Sequence, residues 1–70
     1  MERDEVETAM REVLSDVTQH VGNRAVAFFY FKLPHLSVSE ETTEAVIDFE
    51  NNPVNAGVVE QVMEAIRQSS

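Results

Sequence analysis

The sequence predicts an α+β domain: a long N-terminal helix, one aromatic strand that pairs across a dimer, and two short helices after it. Three observations carry this expectation. Apolar residues recur at helical spacing before residue 22 and again after residue 36. Between them lies a charge-free run, Ala25-Val26-Ala27-Phe28-Phe29-Tyr30-Phe31, whose alternate positions are all apolar. That is the pattern of a strand covered on both faces, built from residue types that favour strand. The chain is also 70 residues long and has no cysteine, so it lacks a disulfide to staple a small core. The same central letters fit a buried helix, because periodicity does not decide for so short a run. The alternative is therefore an all-α, compact four-helix fold. Either way, residues 1–70 make a single small domain.

The first element spans residues 2–21. Val6, Met10, Val13, Leu14, Val17 and Val21 form one stripe, widened by Ala9. Glu2, Asp4, Glu5 and Glu7 crowd the first turns, where they oppose the positive end of the helix dipole. Glu7 and Arg11 form a favourable i,i+4 pair. Gly22-Asn23 accepts a left-handed turn and should end the helix. His20 would then act as a cation at its C-terminus.

The second element, residues 24–33, is the aromatic strand, closed by Pro34. A strand needs a partner for its backbone groups, and the chain offers no second convincing strand. The same strand in another copy, or a strand of another protein, supplies one; in a homodimer Val26, Phe28, Phe29, Tyr30 and Phe31 form the interface. A chain this short buries only about 60% of its unfolded surface, which also favours a second subunit.

The third element spans residues 37–51. Ser37-Val38-Ser39-Glu40 matches a capping box, with Ser39 the rival cap. Thr42, Ala45, Val46 and Phe49 form its apolar face, with Ile47 beside them. Asn51-Asn52-Pro53 breaks it. Asn55 then caps a helix over residues 55–68, with Val58, Val59, Val62, Met63 and Ile66 as its stripe and Gly57 a weak point in its first turn. Ser69 and Ser70 fray.

Charge narrows the function. Thirteen acids against five bases give a net charge of −8. That field repels phosphate backbones, so nucleic acid is not an expected partner. No apolar run reaches the roughly 18 residues of a membrane span, and the polar, acidic N-terminus does not read as a secretory signal. The expected compartment is the cytoplasm. No metal or other cofactor is expected. Asp48, Glu50 and Asn52 alternate like the start of a calcium loop, but Pro53 and Val59 stand where the loop needs glycine and a bidentate acid. His20 and His35 lack companions at ligand spacing. Asp16 stands one turn from His20, yet the adjacent Ser15 points about 100° away, so no triad forms. Gly22 and Gly57 stand alone, which excludes a phosphate-binding glycine loop. The aromatic run is flanked by only Arg24 and Lys32, too few bases for a base-stacking platform. No catalytic constellation survives, and a non-enzyme is expected.

One charge pattern remains. Glu40, Glu41, Glu44 and Asp48 lie along one face of the third element, with Glu50 nearby. Glu40–Glu44 and Glu44–Asp48 are like-charge i,i+4 pairs, and Asp48 and Glu50 oppose the dipole at the helix end. No base within residues 37–51 relieves them. The face is either a solvated, solubilising surface or a docking face for a basic partner. The second reading makes the protein a small acidic interaction module: an adaptor, chaperone or inhibitor. Two other readings compete. The order strand, turn, helix, Asn-Pro turn, helix is that of ribbon-helix-helix transcriptional regulators, although the ribbon would show Phe and Tyr outward. The spaced carboxylates would also serve an acidic DNA mimic.

Overall fold

In a computed structural model describing residues 3–34 and 36–69, the chain is all-helical. The expectations for Glu2, His35 and Ser70 concern residues outside those described. Helix α1 spans Arg3–Ser15, α2 Val21–Phe31, α3 Glu40–Asn51 and α4 Ala56–Gln68, with a short 3-10 turn at Pro53–Asn55 before α4. The described residues contain no strand. The α+β expectation is therefore overturned, and the four-helix alternative describes the chain. The dimer-spanning ribbon falls with it. A helix also occupies the place where a ribbon-helix-helix protein has its strand.

The physical reason lies in the backbone. A lone strand leaves its amides and carbonyls unpaired, whereas a helix pairs them within the segment. The apolar letters on both strand faces equally make a helix that is apolar all round, the pattern of a central helix. Helix α2 packs chiefly on α1 and α4, while α3 packs on α1. Ala27 and Phe28 are wholly buried, and Phe31 nearly so. They join Leu14, Val46, Phe49 and Val62 in one core. The Phe28 and Phe49 rings stack with centroids 5.1 Å apart and planes inclined by 29°. Phe31 meets Tyr30 edge-on at 5.4 Å. A radius of gyration of 11.6 Å matches the value of about 11 Å expected for this length.

The boundary between the first two helices also differs from expectation. Helix α1 stops at Ser15, a turn and a half before Val21. Asp16 turns its carboxylate onto the chain ahead, accepting from the Thr18 backbone N–H at 2.9 Å and the Thr18 hydroxyl at 2.6 Å. Such side-chain bonds compete with helix and favour a turn. Val17, removed from the stripe, becomes one of the most exposed apolar residues. Gly22 and Asn23 do not form a left-handed stop, since no described residue has positive φ. They sit instead in the first turn of α2. His20 is not a C-terminal cation: it caps the N-terminus of α2, its Nδ1 accepting from the Gly22 N–H at 3.0 Å. Asp16 and His20 consequently do not share a helix.

The later helices follow the sequence more closely. Ser39, not Ser37, caps α3, its Oγ accepting from the Thr42 N–H. Thr42, Val46 and Phe49 are buried and Ala45 partly so, while Ile47 is exposed. Asn52 caps the 3-10 turn, with Pro53 as its first residue. Asn55 precedes α4 as expected but makes no side-chain cap. Its buried amide donates to the Phe49 carbonyl at 3.1 Å, a second bond to a group that also accepts from the Asn52 N–H at the end of α3. All five residues of the α4 stripe lie in the core or against it.

Two mutational results follow. Phe28→Ala should cost about 3–5 kcal/mol in urea unfolding, against under about 1 kcal/mol for the outward Phe29→Ala. A two-faced strand would make the two losses similar. His20→Ala should cost about 1 kcal/mol, and His20→Asp should restore it by capping the same amide.

Candidate functional site

Three of the four acids expected to form a partner-binding face come together on one groove. Helix α3 turns Glu41, Glu44 and Asp48 toward α1, and together the two helices border an open groove of about 610 Å³. Its floor is Leu14, Ala45 and Phe49, with Asn52 and Asn55 closing one end. Glu40 does not line it; it stands exposed in the first turn of α3. Glu12 of α1 lines the opposite side. Sequence reasoning missed Glu12, because only the packing of α1 against α3 aligns it with acids about 30 residues away.

Two bases also line the groove, and both are committed within the fold. Arg24 places its guanidinium 5.2 Å from the centroid of the Phe49 ring and donates from Nε to the Leu14 carbonyl at 3.1 Å. Arg11 lies 3.8 Å from both Glu7 and Glu41 and donates to the Thr42 hydroxyl at 3.1 Å. Glu50, which the sequence left unrelieved at the end of α3, pairs with Lys32 at 2.9 Å. Among the described residues, relief of the α3 acids thus comes from outside α3, at Glu41 and Glu50. Glu12, Glu44 and Asp48 make no ion pair among the described residues.

The wall geometry is set by a polar cluster at the other end of α1. Glu7 Oε2 accepts from the Ser39 hydroxyl at 2.7 Å, the Thr42 hydroxyl at 2.6 Å and the Ser39 N–H at 3.3 Å. Thr42 is fully buried and its hydroxyl also accepts from Arg11. No buried side-chain polar atom lacks a partner among the described residues. The cluster ties α1 to the N-terminus of α3 and so fixes the two walls of the groove. The hydrogen bonds from Thr42 and Ser39 hold the Glu7 carboxyl below its ordinary range, with Arg11 adding a smaller pull.

Of the residues expected at a dimer contact, Phe28 and Phe31 belong to the chain's own core, and Tyr30 is partly buried against it. Val26 and Phe29 remain exposed. No group of three His, Asp or Glu among the described residues is placed to hold a metal ion. No described helix is long and apolar enough to cross a membrane. No family model matches the chain, and no curated protein or solved structure resembles it closely enough to count as a match.

The Glu7 cluster has a pH signature. The unfolded chain takes up its Glu7 proton first, so this stabilisation is complete above the ordinary glutamate range near ~4.3 and is lost as pH falls through it to the lower value held in the fold. Glu7→Gln should leave a shallower fall in stability across that acid range, measured by urea unfolding at stepped pH. An unchanged slope would show that Glu7 is not held in this way.

Proposed function

We propose that the chain is a non-enzymatic interaction module that docks a basic segment of a protein partner in the groove between α1 and α3. The observation that carries this reading is the set Glu12, Glu44 and Asp48. Three carboxylates from two helices line one groove, and none of them makes an ion pair among the described residues. Within the same groove Arg24 illustrates how an arginine is accommodated, with its guanidinium over Phe49. A partner's arginine or lysine would lay its stem on the exposed Val17 and the half-buried Ala45 and bring its charge to the three acids. An adaptor, chaperone or inhibitor role is consistent with such a face.

A second reading narrows the partner to a DNA-binding protein. Glu40, Glu44 and Asp48 recur every fourth residue, about 6 Å apart along α3, giving a regular row of charge such as a phosphate mimic needs. It differs in one respect: duplex DNA should displace the chain from its partner competitively.

Calorimetric titration with an oligoarginine peptide tests the docking face. Binding should weaken steeply from low to physiological salt, as expected for exposed charge. Glu44→Lys and Asp48→Lys should each weaken it by roughly tenfold. Glu60→Lys on α4, outside the groove, should leave most of it. Equal losses from all three variants would mean that the peptide senses net charge alone, and that the α3 acids form a solubilising face.

A further inference from the structure

We propose that the outward face of α2 is the contact between two copies of the chain, packed antiparallel about a two-fold axis. This contact is separate from the acidic groove and is not a strand pairing. Gly22, Val26 and Phe29 fall at i, i+4 and i+7 on one face of α2, and Leu33 follows two residues past its end. Val26 is 61% exposed, Phe29 37% and Leu33 39%. The opposite face of α2 is the centre of the core. The segment is apolar all round, as a central helix is, yet on its outward side the single chain leaves Val26 largely open and Phe29 and Leu33 partly so.

Charge points to a second copy as the occupant. All thirteen acids lie outside residues 17–39, and α2 sits in the middle of that acid-free stretch. Two chains that each carry −8 repel wherever α1, α3 or α4 meet their counterparts, and least across α2. A basic partner, by contrast, is drawn to α3. The bases nearest the face are turned away from it, Arg24 to the Leu14 carbonyl and Lys32 to Glu50, so they do not confront each other across the contact.

The side-chain sizes are self-complementary. In an antiparallel pair centred between Ala27 and Phe28, Val26 lies opposite Phe29 of the second copy and Leu33 opposite Gly22. Each level sets large against small, which lets the helices interdigitate. The two helix dipoles also oppose. Such a contact is isologous and closes at two copies. One helix face buries less than a standard interface, so the dissociation constant belongs in the micromolar range, on the order of 1–100 μM.

The test is sedimentation equilibrium of the full chain from about 1 μM to 1 mM, concentrations that span that range. A monomer–dimer equilibrium is expected. Val26→Asp and Phe29→Asp should each raise the dissociation constant by roughly thirtyfold or more, since each places a charge in the apolar contact. Val54→Asp, at an apolar residue 86% exposed but outside this face, should leave the constant unchanged. Circular dichroism checks that each variant stays helical, and the more exposed Val26 keeps the test decisive if Phe29→Asp unfolds. The chain has no cysteine, so single cysteines report the arrangement directly. Val26→Cys should cross-link to itself on oxidation. Leu33→Cys should not, because its two copies sit about 16 Å apart along the antiparallel axis. A monomer at all concentrations, or a dimer indifferent to both aspartate variants, overturns the proposal. Cross-linking at Leu33 as readily as at Val26 overturns the antiparallel arrangement.

Discussion

The fold depends on the burial of Phe28. This ring is fully enclosed and stacks on Phe49, so it joins the central helix α2 to α3 even though the two helices have little direct backbone contact. Around that stack lie the charges that tie the elements together. Arg24 sits over Phe49 on one side, and Lys32 reaches to 5.9 Å from the Phe28 centroid while pairing with Glu50. A small chain has few residues to spend on a core. Here one aromatic pair fills the centre, and Arg24 of α2 and Lys32 at its C-cap hold the neighbouring elements around it.

The groove is a by-product of how α1 and α3 are held. At one end, Glu7 gathers Ser39 and Thr42; further along, Leu14 and Phe49 form the floor. Satisfying Glu7 within the fold consumes Arg11, and satisfying the Phe49 region consumes Arg24. With five bases against thirteen acids, every base spent on structure leaves carboxylates elsewhere without a partner. Glu12, Glu44 and Asp48 are among those carboxylates, and they share one groove. The imbalance in composition thus reappears as a localised surface, and the proposed docking face follows from it.

The same economy shapes α2. Its acid-free setting suits a helix surrounded by apolar neighbours, yet a four-helix chain of this size leaves Val26 largely open and Phe29 partly so. The acidic groove and the apolar stripe therefore occupy different helices and favour different partners, one by charge and one by its absence. A basic segment on α3 and a second copy on α2 do not compete for the same residues.

Much of the helical frame was legible in the residues. The stripe of α4, the Met10, Val13 and Leu14 part of the first stripe, the buried set Thr42, Val46 and Phe49, and the Asn-Pro break are local patterns, fixed by the 3.6-residue period and by proline's missing N–H, whereas Val17 and Val21 lie past α1 and exposed. Three acids of the candidate groove were legible as well, because they repeat along one helix. The state of residues 24–33 was not, since a run apolar at every position satisfies helix and strand alike. The absence of a second strand, a property of the whole chain, decided it. His20 and Asp16 read as members of the first helix until their side-chain bonds to Gly22 and Thr18 ended it early. Glu12, Arg11, Arg24 and Lys32 acquired their roles only through contacts made across the fold. Sequence by itself determined which residues seek the interior and where charge accumulates, because both are properties of single side chains and their spacing. Tertiary structure alone decided which charges were neutralised and which apolar face stayed open, because those outcomes depend on which helices come to lie side by side.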